Sequence, residues 1–441
     1  MKTWLQHLAD RLRTSFWFVP SLFAIGSFVI AGVMLKVDRE FKDDLLTQFP
    51  GLAEISASGT RELISTAATA MLSLAGITFS GVLVAMTLAS NRFGPRLLRN
   101  FIRARSTQIT LGMLLSTFIY CLLVLRGIRS QEETEFVPHA AALAGFVGTM
   151  TSLAVFIYFI HHITTSLQAD RVTEKVFCEL REAIDRFFPK RPSSDAMEEA
   201  VADRASDEWE ELSDERALDA PRDGYLQALD LETLVEVSAD LDTRLRVLKR
   251  PGHFVVEGDP ILAFSGDFDL DEEAEKKLRN CFIIGSIRTP EQDFEFEIRQ
   301  LVEVALRALS PGINDPFTAM NCIDFLGAAL NEIGHRQLPA HLYRDGNDIP
   351  RVLTRPVSFE SLLGSAFHQL RQVAGPKPDV VIRMLEALAL IDQSKLDQNQ
   401  RKAVCHHART IFDAAKQSKP GESDLEDIER RMEPFRETEE G

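Results

Sequence analysis

Four long apolar runs dominate the first third of the chain. They are SFWFVPSLFAIGSFVIAGVML (15–35), LISTAATAMLSLAGITFSGVLVAMTLAS (63–90), ITLGMLLSTFIYCLLVL (109–125) and PHAAALAGFVGTMTSLAVFIYFI (138–160). Apart from His139, at the edge of the fourth, none holds an ionisable side chain. A hydrocarbon core of ~30 Å takes roughly 20 helical residues to cross. The pattern therefore predicts a four-span transmembrane domain over residues 1–162. The third run is short and borrows Arg126 at the interface. The first lacks a small-residue cleavage site and three more spans follow it, so it reads as retained rather than as a signal peptide.

After residue 162 the pattern changes. Ile163, Leu167, Val176, Leu180, Ile184 and Phe187 fall near one helical face, which predicts a helix over 163–188 continuing from the fourth span. Residues 189–222 read as an acidic linker. Residues 223–290 read as a small α+β subdomain. Its expected elements are strands at Tyr225–Leu229 and Arg244–Leu248, a helix at Leu231–Ala239, and a hairpin HFVVEGDPILAF turning at Glu257–Gly258–Asp259. A helix near 270–279 and the strand CFIIGSIRT complete it. Residues 291–417 read as a helical subdomain with helices near 294–309, 316–333, 359–374, 378–393 and 396–417. A charged tail, 418–441, follows. The expected fold class is thus a membrane α-helical domain of four transmembrane helices, followed by a cytoplasmic α+β domain that becomes mainly helical toward the C-terminus.

Charge sharpens this picture. The chain of 441 residues carries a net −16. That argues against a nucleic-acid partner, which would need a basic face. The charge is concentrated: residues 191–223 hold twelve acids against four arginines, about half of the net charge. The spans are placed by the short loops instead. The N-terminus has Lys2, Arg11 and Arg13, and the 91–108 loop has Arg92, Arg96, Arg99, Arg103 and Arg105 with no acid. The other two loops are net acidic, with Asp38, Glu40, Asp43 and Asp44 in one and Glu132, Glu133 and Glu135 in the other. Basic residues stay on the cytoplasmic side, so both termini are expected in the cytoplasm and the protein in a bacterial inner membrane.

Little in the chain points to cofactor chemistry. The five cysteines are scattered and form no CxxC, so neither a disulfide framework nor a zinc signature emerges. The pairs His161–His162 and His406–His407 are adjacent in sequence and point about 100° apart on a helix, a poor two-ligand face. There is no phosphate-binding glycine loop, GxSxG elbow or HExxH. No cofactor and no metal are expected.

The stretch GITFSGVLVAMTLASNRFGPRLLRNFIRARSTQITLGMLLSTFIYCLLVLRGIR (76–129) is similar to a bacterial membrane-protein family. The matching features are Phe79–Ser80, Ala89–Ser90, Phe93, Pro95–Arg96–Leu97–Leu98, Gln108 and Thr117–Phe118–Ile119–Tyr120. Ala308–Leu309–Ser310–Pro311, Asn314–Asp315–Pro316, Thr318–Ala319 and RVLTRPVSFESLLGSAFHQLRQ (351–372) also fit. The family is catalogued as domain of unknown function number twenty-two fifty-four. The resemblance implies a membrane protein with a cytoplasmic domain and transfers no catalytic residue.

Three candidate sites emerge. In ALRALSPGINDPFTA (305–319), Pro311 and Gly312 stop one helix, while Asp315 and Pro316 suit the cap and first turn of the next. A polar cluster of Arg307, Ser310, Asn314, Asp315, Thr318, Asn321 and Asp324 is geometrically plausible there, with Thr318, Asn321 and Asp324 on a stripe opposite Phe317, Met320, Ile323 and Leu330. It reads either as a self-satisfied helix junction or as a ligand or subunit contact. The arginines Arg92, Arg96, Arg99, Arg103 and Arg105 fit anionic lipid headgroups, or serve only as a topology signal. In the second span Ser73, Gly76, Ser80, Gly81 and Ala85 are small enough for close helix packing or for a weakly polar pore face. An intramembrane acid or base, usual in ion-coupled transporters, is missing from the apolar runs. The chain is therefore expected to be an integral membrane protein, a homo-oligomer with conduit behaviour governed by its cytoplasmic domain. The alternative is a membrane-anchored sensor or scaffold, and an enzyme is the least favoured reading. Expected partners are the lipid bilayer and further copies of the chain.

Overall fold

The computed structural model describes residues 17–40, 56–94, 105–128, 137–166, 168–190, 215–265, 271–391 and 395–436. The chain divides into two compact units, Met1–Arg171 and Val172–Gly441.

In the first unit the four apolar runs form α1 (Phe18–Glu40), α2 (Ala57–Phe93), α3 (Arg105–Gly127) and α4 (His139–Ser166). All four are long and apolar enough to cross a membrane. The 37 residues of α2 extend about 55 Å at 1.5 Å per residue, more than the ~30 Å core, so part of it lies outside the hydrocarbon. The shortest apolar run builds the centre of the unit: α3 packs on α1, α2 and α4. Close approach needs small residues. A side-chain carbon at Gly112 would meet Phe23 and Pro20, at Gly127 would meet Leu35, and at Gly145 would meet Ile64 and Tyr120.

The expected helix 163–188 is divided. α4 ends at Ser166, and a separate helix, α5 (Ala169–Phe187), follows. α5 buries Val172, Val176, Leu180, Ala183 and Ile184 along one face.

The rest of the second unit begins with β1 (Glu215–Asp219), β2 (Gly224–Leu229), α6 (Leu231–Asp240), β3 (Leu245–Val247), β4 (Phe254–Val255), β5 (Pro260–Ser265), α7 (Glu272–Asn280) and β6 (Phe282–Gly285). It continues with α8 (Phe294–Ala308), α9 (Pro316–Gly334), β7 (Leu342–Arg344), β8 (Pro350–Leu353), α10 (Phe359–Ala374), α11 (Pro378–Ala389), α12 (Gln398–Gln417) and α13 (Glu422–Arg436). Among the described residues two sheets form, in the orders β1-β5-β3-β8-β7 and β4-β2-β6. Leu226, Leu245, Val255, Ile261, Leu262, Ile284 and Val352 share one core from both sheets.

The expected hairpin over HFVVEGDPILAF does not form. The chain turns at Gly258, whose φ is +86°, but its two arms join different sheets. β4 pairs with β2, whereas β5 pairs with β1 and β3. Three further elements depart from the expectations. β1 lies across the end of the acidic stretch. β7 and β8 lie within the segment read as helical. α13 occupies much of the expected tail and buries Ile428, Met432 and Phe435, at i, i+4 and i+7.

Candidate functional site

Inside the membrane unit, several buried polar groups find partners remote in sequence, while other hydroxyls bond within their own helix. Asp38, near the end of α1, is 3% exposed. Its two carboxylate oxygens accept the backbone N–H groups of Ala140 and Ala141, each at 2.8 Å, in the first turn of α4. A helix start leaves such donors unfilled and carries partial positive charge, so a carboxylate fits there doubly. Tyr120 donates to the Ala141 carbonyl at 2.9 Å, and the hydroxyls of Thr117 and Ser152 meet at 2.9 Å. In the sequence Asp38 falls among the charges of a loop. No local pattern marks it, because its partners lie about a hundred residues away.

α2 has two contrasting faces. Ile64, Ala68, Met71, Ala75, Thr78, Val82, Ala85 and Ala89 are buried within the unit. On the opposite side, Ser65, Thr69, Ser73, Gly76, Ser80 and Thr87 follow one another at helical spacing and are exposed. A side-chain carbon at Gly76 or Gly81 would meet nothing within 4 Å. The hydroxyls of Thr69, Ser73 and Thr87 donate to carbonyls of their own helix four residues back. Of the five small residues named from the sequence, Ser73, Gly76 and Ser80 share this outer stripe. Gly81 lies to one side of it, and Ala85 packs inward. Large residues also turn outward, on α2 itself at Leu72, Ile77, Leu83 and Val84 beside and between the members of the stripe, on α1 at Leu22, Ile25 and Phe28, and on α4 at Phe146, Val147 and Ile157.

The α8–α9 junction is closely wired. Asp315 caps α9, accepting the Thr318 amide at 3.1 Å and the Thr318 hydroxyl at 2.6 Å. Asn314 adopts φ +48°, a left-handed conformation that asparagine tolerates. Its side-chain oxygen accepts from Lys377 Nζ at 3.0 Å, and the same ammonium donates to the Leu309 carbonyl at 3.1 Å. Lys377 was not foreseen, since it enters from the start of α11. Ser310 donates to the Arg307 carbonyl at 2.6 Å, and Arg307 pairs with Glu303 at 3.3 Å. Asp324 faces Arg383 at 3.5 Å; burial raises its carboxyl above the usual range while Arg383 opposes that shift.

The stripe on α9 differs from the expected one. The core takes Ala319, Cys322, Ile323, Leu326 and Leu330. Positions 317, 321 and 324 are spaced i, i+4 and i+7, so Phe317 shares the outward face with Asn321 and Asp324 rather than opposing them. Phe317 is 74% exposed. Thr318 turns inward to Asp315.

Of the five arginines proposed for lipid headgroups, Arg92 ends α2 and Arg105 begins α3, both exposed. Arg96, Arg99 and Arg103 lie outside the described residues. His407 is buried with its ring 5.0 Å from His368 and 6.0 Å from His406. Burial and those two neighbours lower its pKa to about 4. Among the described residues no group of three or more His, Cys, Asp or Glu side chains is arranged to hold a metal ion.

Comparison with known proteins places this architecture. An uncharacterized protein of Mycobacterium tuberculosis is 28% identical over 433 residues, covering 95% of this chain and 79% of its own. An uncharacterized protein of Mycobacterium bovis matches to the same extent. No solved structure matches. The family described as predicted membrane protein (DUF2254) matches residues 13–390, so most of the chain, from the first span to the end of α11, is covered, and the protein belongs to that family.

Proposed function

We propose that the protein is a homo-oligomer in a bacterial inner membrane, with both termini in the cytoplasm. In it the outer stripe of α2 meets its counterparts around a common axis and lines a weakly polar conduit, which the soluble unit regulates. The observation that carries this reading is the row Ser65, Thr69, Ser73, Gly76, Ser80 and Thr87, opposite the buried face of α2. A face meant for lipid gains nothing from glycine and hydroxyls, whereas helices that approach closely do. Because three of the hydroxyls are satisfied within the helix, the row tolerates either a dry contact or a narrow wet one. The basic 91–108 loop supports the orientation.

Single cysteines at Ser73 and Ser80, oxidised in native membranes, are expected to give cross-linked dimers, while a cysteine at Leu22 on the outside of α1 stays monomeric. Proteoliposomes of the purified protein are expected to pass small solutes. Absence of cross-links at both α2 positions removes the oligomer, and cross-linking without flux removes the conduit.

A second reading, a membrane-anchored scaffold, is favoured by Phe317, which stands exposed beside Asn321 and Asp324 on a junction fixed by Asp315 and Lys377. Such an exposed aromatic on a rigid element is a common partner anchor. Under this reading Phe317→Ala abolishes a partner captured from membranes and leaves cross-linking through α2 intact. Equal capture by both proteins defeats it.

A further inference from the structure

The four helices of the membrane unit are flush at one end and uneven at the other. At the flush end Ala57, Ile128 and Val137 pack together, and Asp38 holds the first turn of α4. Fourteen residues on along α2, and fourteen back along α3, Met71 and Leu114 share a cluster. Another nine bring Ser80 level with Arg105, the first residue of α3. α1 begins close to that level, with Pro20 against Gly112. α4 reaches it at His162, whose Nδ1 lies 3.4 Å from the Ser106 hydroxyl, and ends four residues later. Among the described residues α2 alone runs on, through thirteen more residues to Phe93, about 20 Å of helix.

That level is where the hydrocarbon ends. Arg105 and Arg126 stand about 32 Å apart along α3, the depth of a ~30 Å core. A helix that passes from the core into water ordinarily carries charge on its free face. The overhang carries none from Gly81 to Asn91. One side of it is buried at Val82, Ala85 and Ala89. The other exposes Leu83, Leu88 and above all Val84, at 69%. Val84, Thr87 and Asn91 follow Ser80 at intervals of four, three and four residues, all exposed, so the outer stripe of α2 continues beyond the bilayer.

We propose that this overhang packs against the same segment of neighbouring copies, as a short parallel coiled coil outside the bilayer. The proposal rests on the α2-to-α2 axis of the oligomer described above. Three features make a second copy the occupant. The bilayer holds every copy at one depth and in one direction, so identical overhangs emerge side by side. The alternation of three and four residues is that of a coiled-coil seam. The seam is uncharged, so its copies do not repel. Apolar burial drives little association between helices in lipid, but it acts in full in water. The overhang thus supplies the drive to associate that the bilayer segment of α2 lacks.

Single cysteines in the full chain test this, in a background of Cys178→Ser, since Cys178 is exposed. Val84→Cys and Thr87→Cys are expected to give disulfide-linked dimers when native membranes are oxidised. Leu88→Glu, added to Thr87→Cys, is expected to abolish the link. In nanodiscs that hold one copy each, Val84→Cys should react with a charged maleimide, because water reaches it there, while Leu22→Cys stays unreactive in lipid. An unreactive Val84→Cys in single-copy discs places the overhang in lipid and overturns the proposal. So does labelling in native membranes as fast as in single-copy discs, because nothing then covers the residue. A link that survives Leu88→Glu overturns it too. Links at Ser73→Cys without any at Val84→Cys or Thr87→Cys overturn it and leave the α2 axis standing. Links at the two overhang positions without any at Ser73→Cys or Ser80→Cys support it and remove the conduit.

Discussion

Two aspartates perform the same task in the two units by opposite routes. Asp315 caps α9 from the residue immediately before it. Asp38 caps α4 from the far end of α1. The first cap is local, and water is available to replace it. The second joins two helices where little water is available, so its loss leaves two amides without a partner. The second unit fixes many of its helix ends with neighbours in sequence, as at Asp230, Asp271, Ser358 and Asp397. The membrane unit also uses a local cap, Ser56 at the start of α2, but with no hydrophobic drive between its helices it adds remote polar contacts and glycines that let backbones close up.

The contrast can be broken by four substitutions. Asp38→Ala should be the most damaging, about 3 kcal/mol, since each buried donor left unsatisfied costs roughly 1–3 kcal/mol. Thermal unfolding of the detergent-solubilised protein measures it, and a loss no greater than that of an Asp315 variant would erase the distinction. Gly145→Leu comes next, at about 2 kcal/mol of overpacking against Ile64 and Tyr120. Asp315→Ala should cost about 1 kcal/mol, the usual worth of an N-cap. Gly76→Leu should change the stability of the single subunit by less than about 0.5 kcal/mol, because nothing lies within 4 Å of the added carbon. The same change should abolish cysteine cross-linking along α2. Stability loss with cross-linking intact would reverse the assignment of that face.

What could be read beforehand follows the same division. The Asp315–Pro316 start, the Ser358 cap and the long helices of the second half were legible, because caps and periodicity are local signals. Asp38 was not, since a carboxylate just beyond an apolar run looks like loop charge until its partner is known. The turn at Gly258 was legible and its consequence was not: strand pairing depends on where β2 and β3 lie, not on the turn residues. α13 carried its pattern in Ile428, Met432 and Phe435, but the charge around those three positions hid it. β7 and β8 are three and four residues long, too short for any alternation to register. In the candidate junction, the seven polar residues were visible and Lys377, which ties Asn314 to Leu309, was not. The outward turn of Phe317 could have been found by extending the i, i+4, i+7 count from Asp324 one step further back.

The parallel pairing of β3 with β8 has a consequence for how the chain is made. Leu245 sits beside Val352, so the middle of the five-stranded sheet is closed by residues that leave the ribosome about a hundred positions later. At 5–20 residues per second that is a wait of roughly 5–20 s. Until then β3 has an open edge, already displayed on a chain anchored by its spans. The second unit therefore completes as one late event rather than in two stages, and a nascent chain halted before β8 should be unusually sensitive to protease.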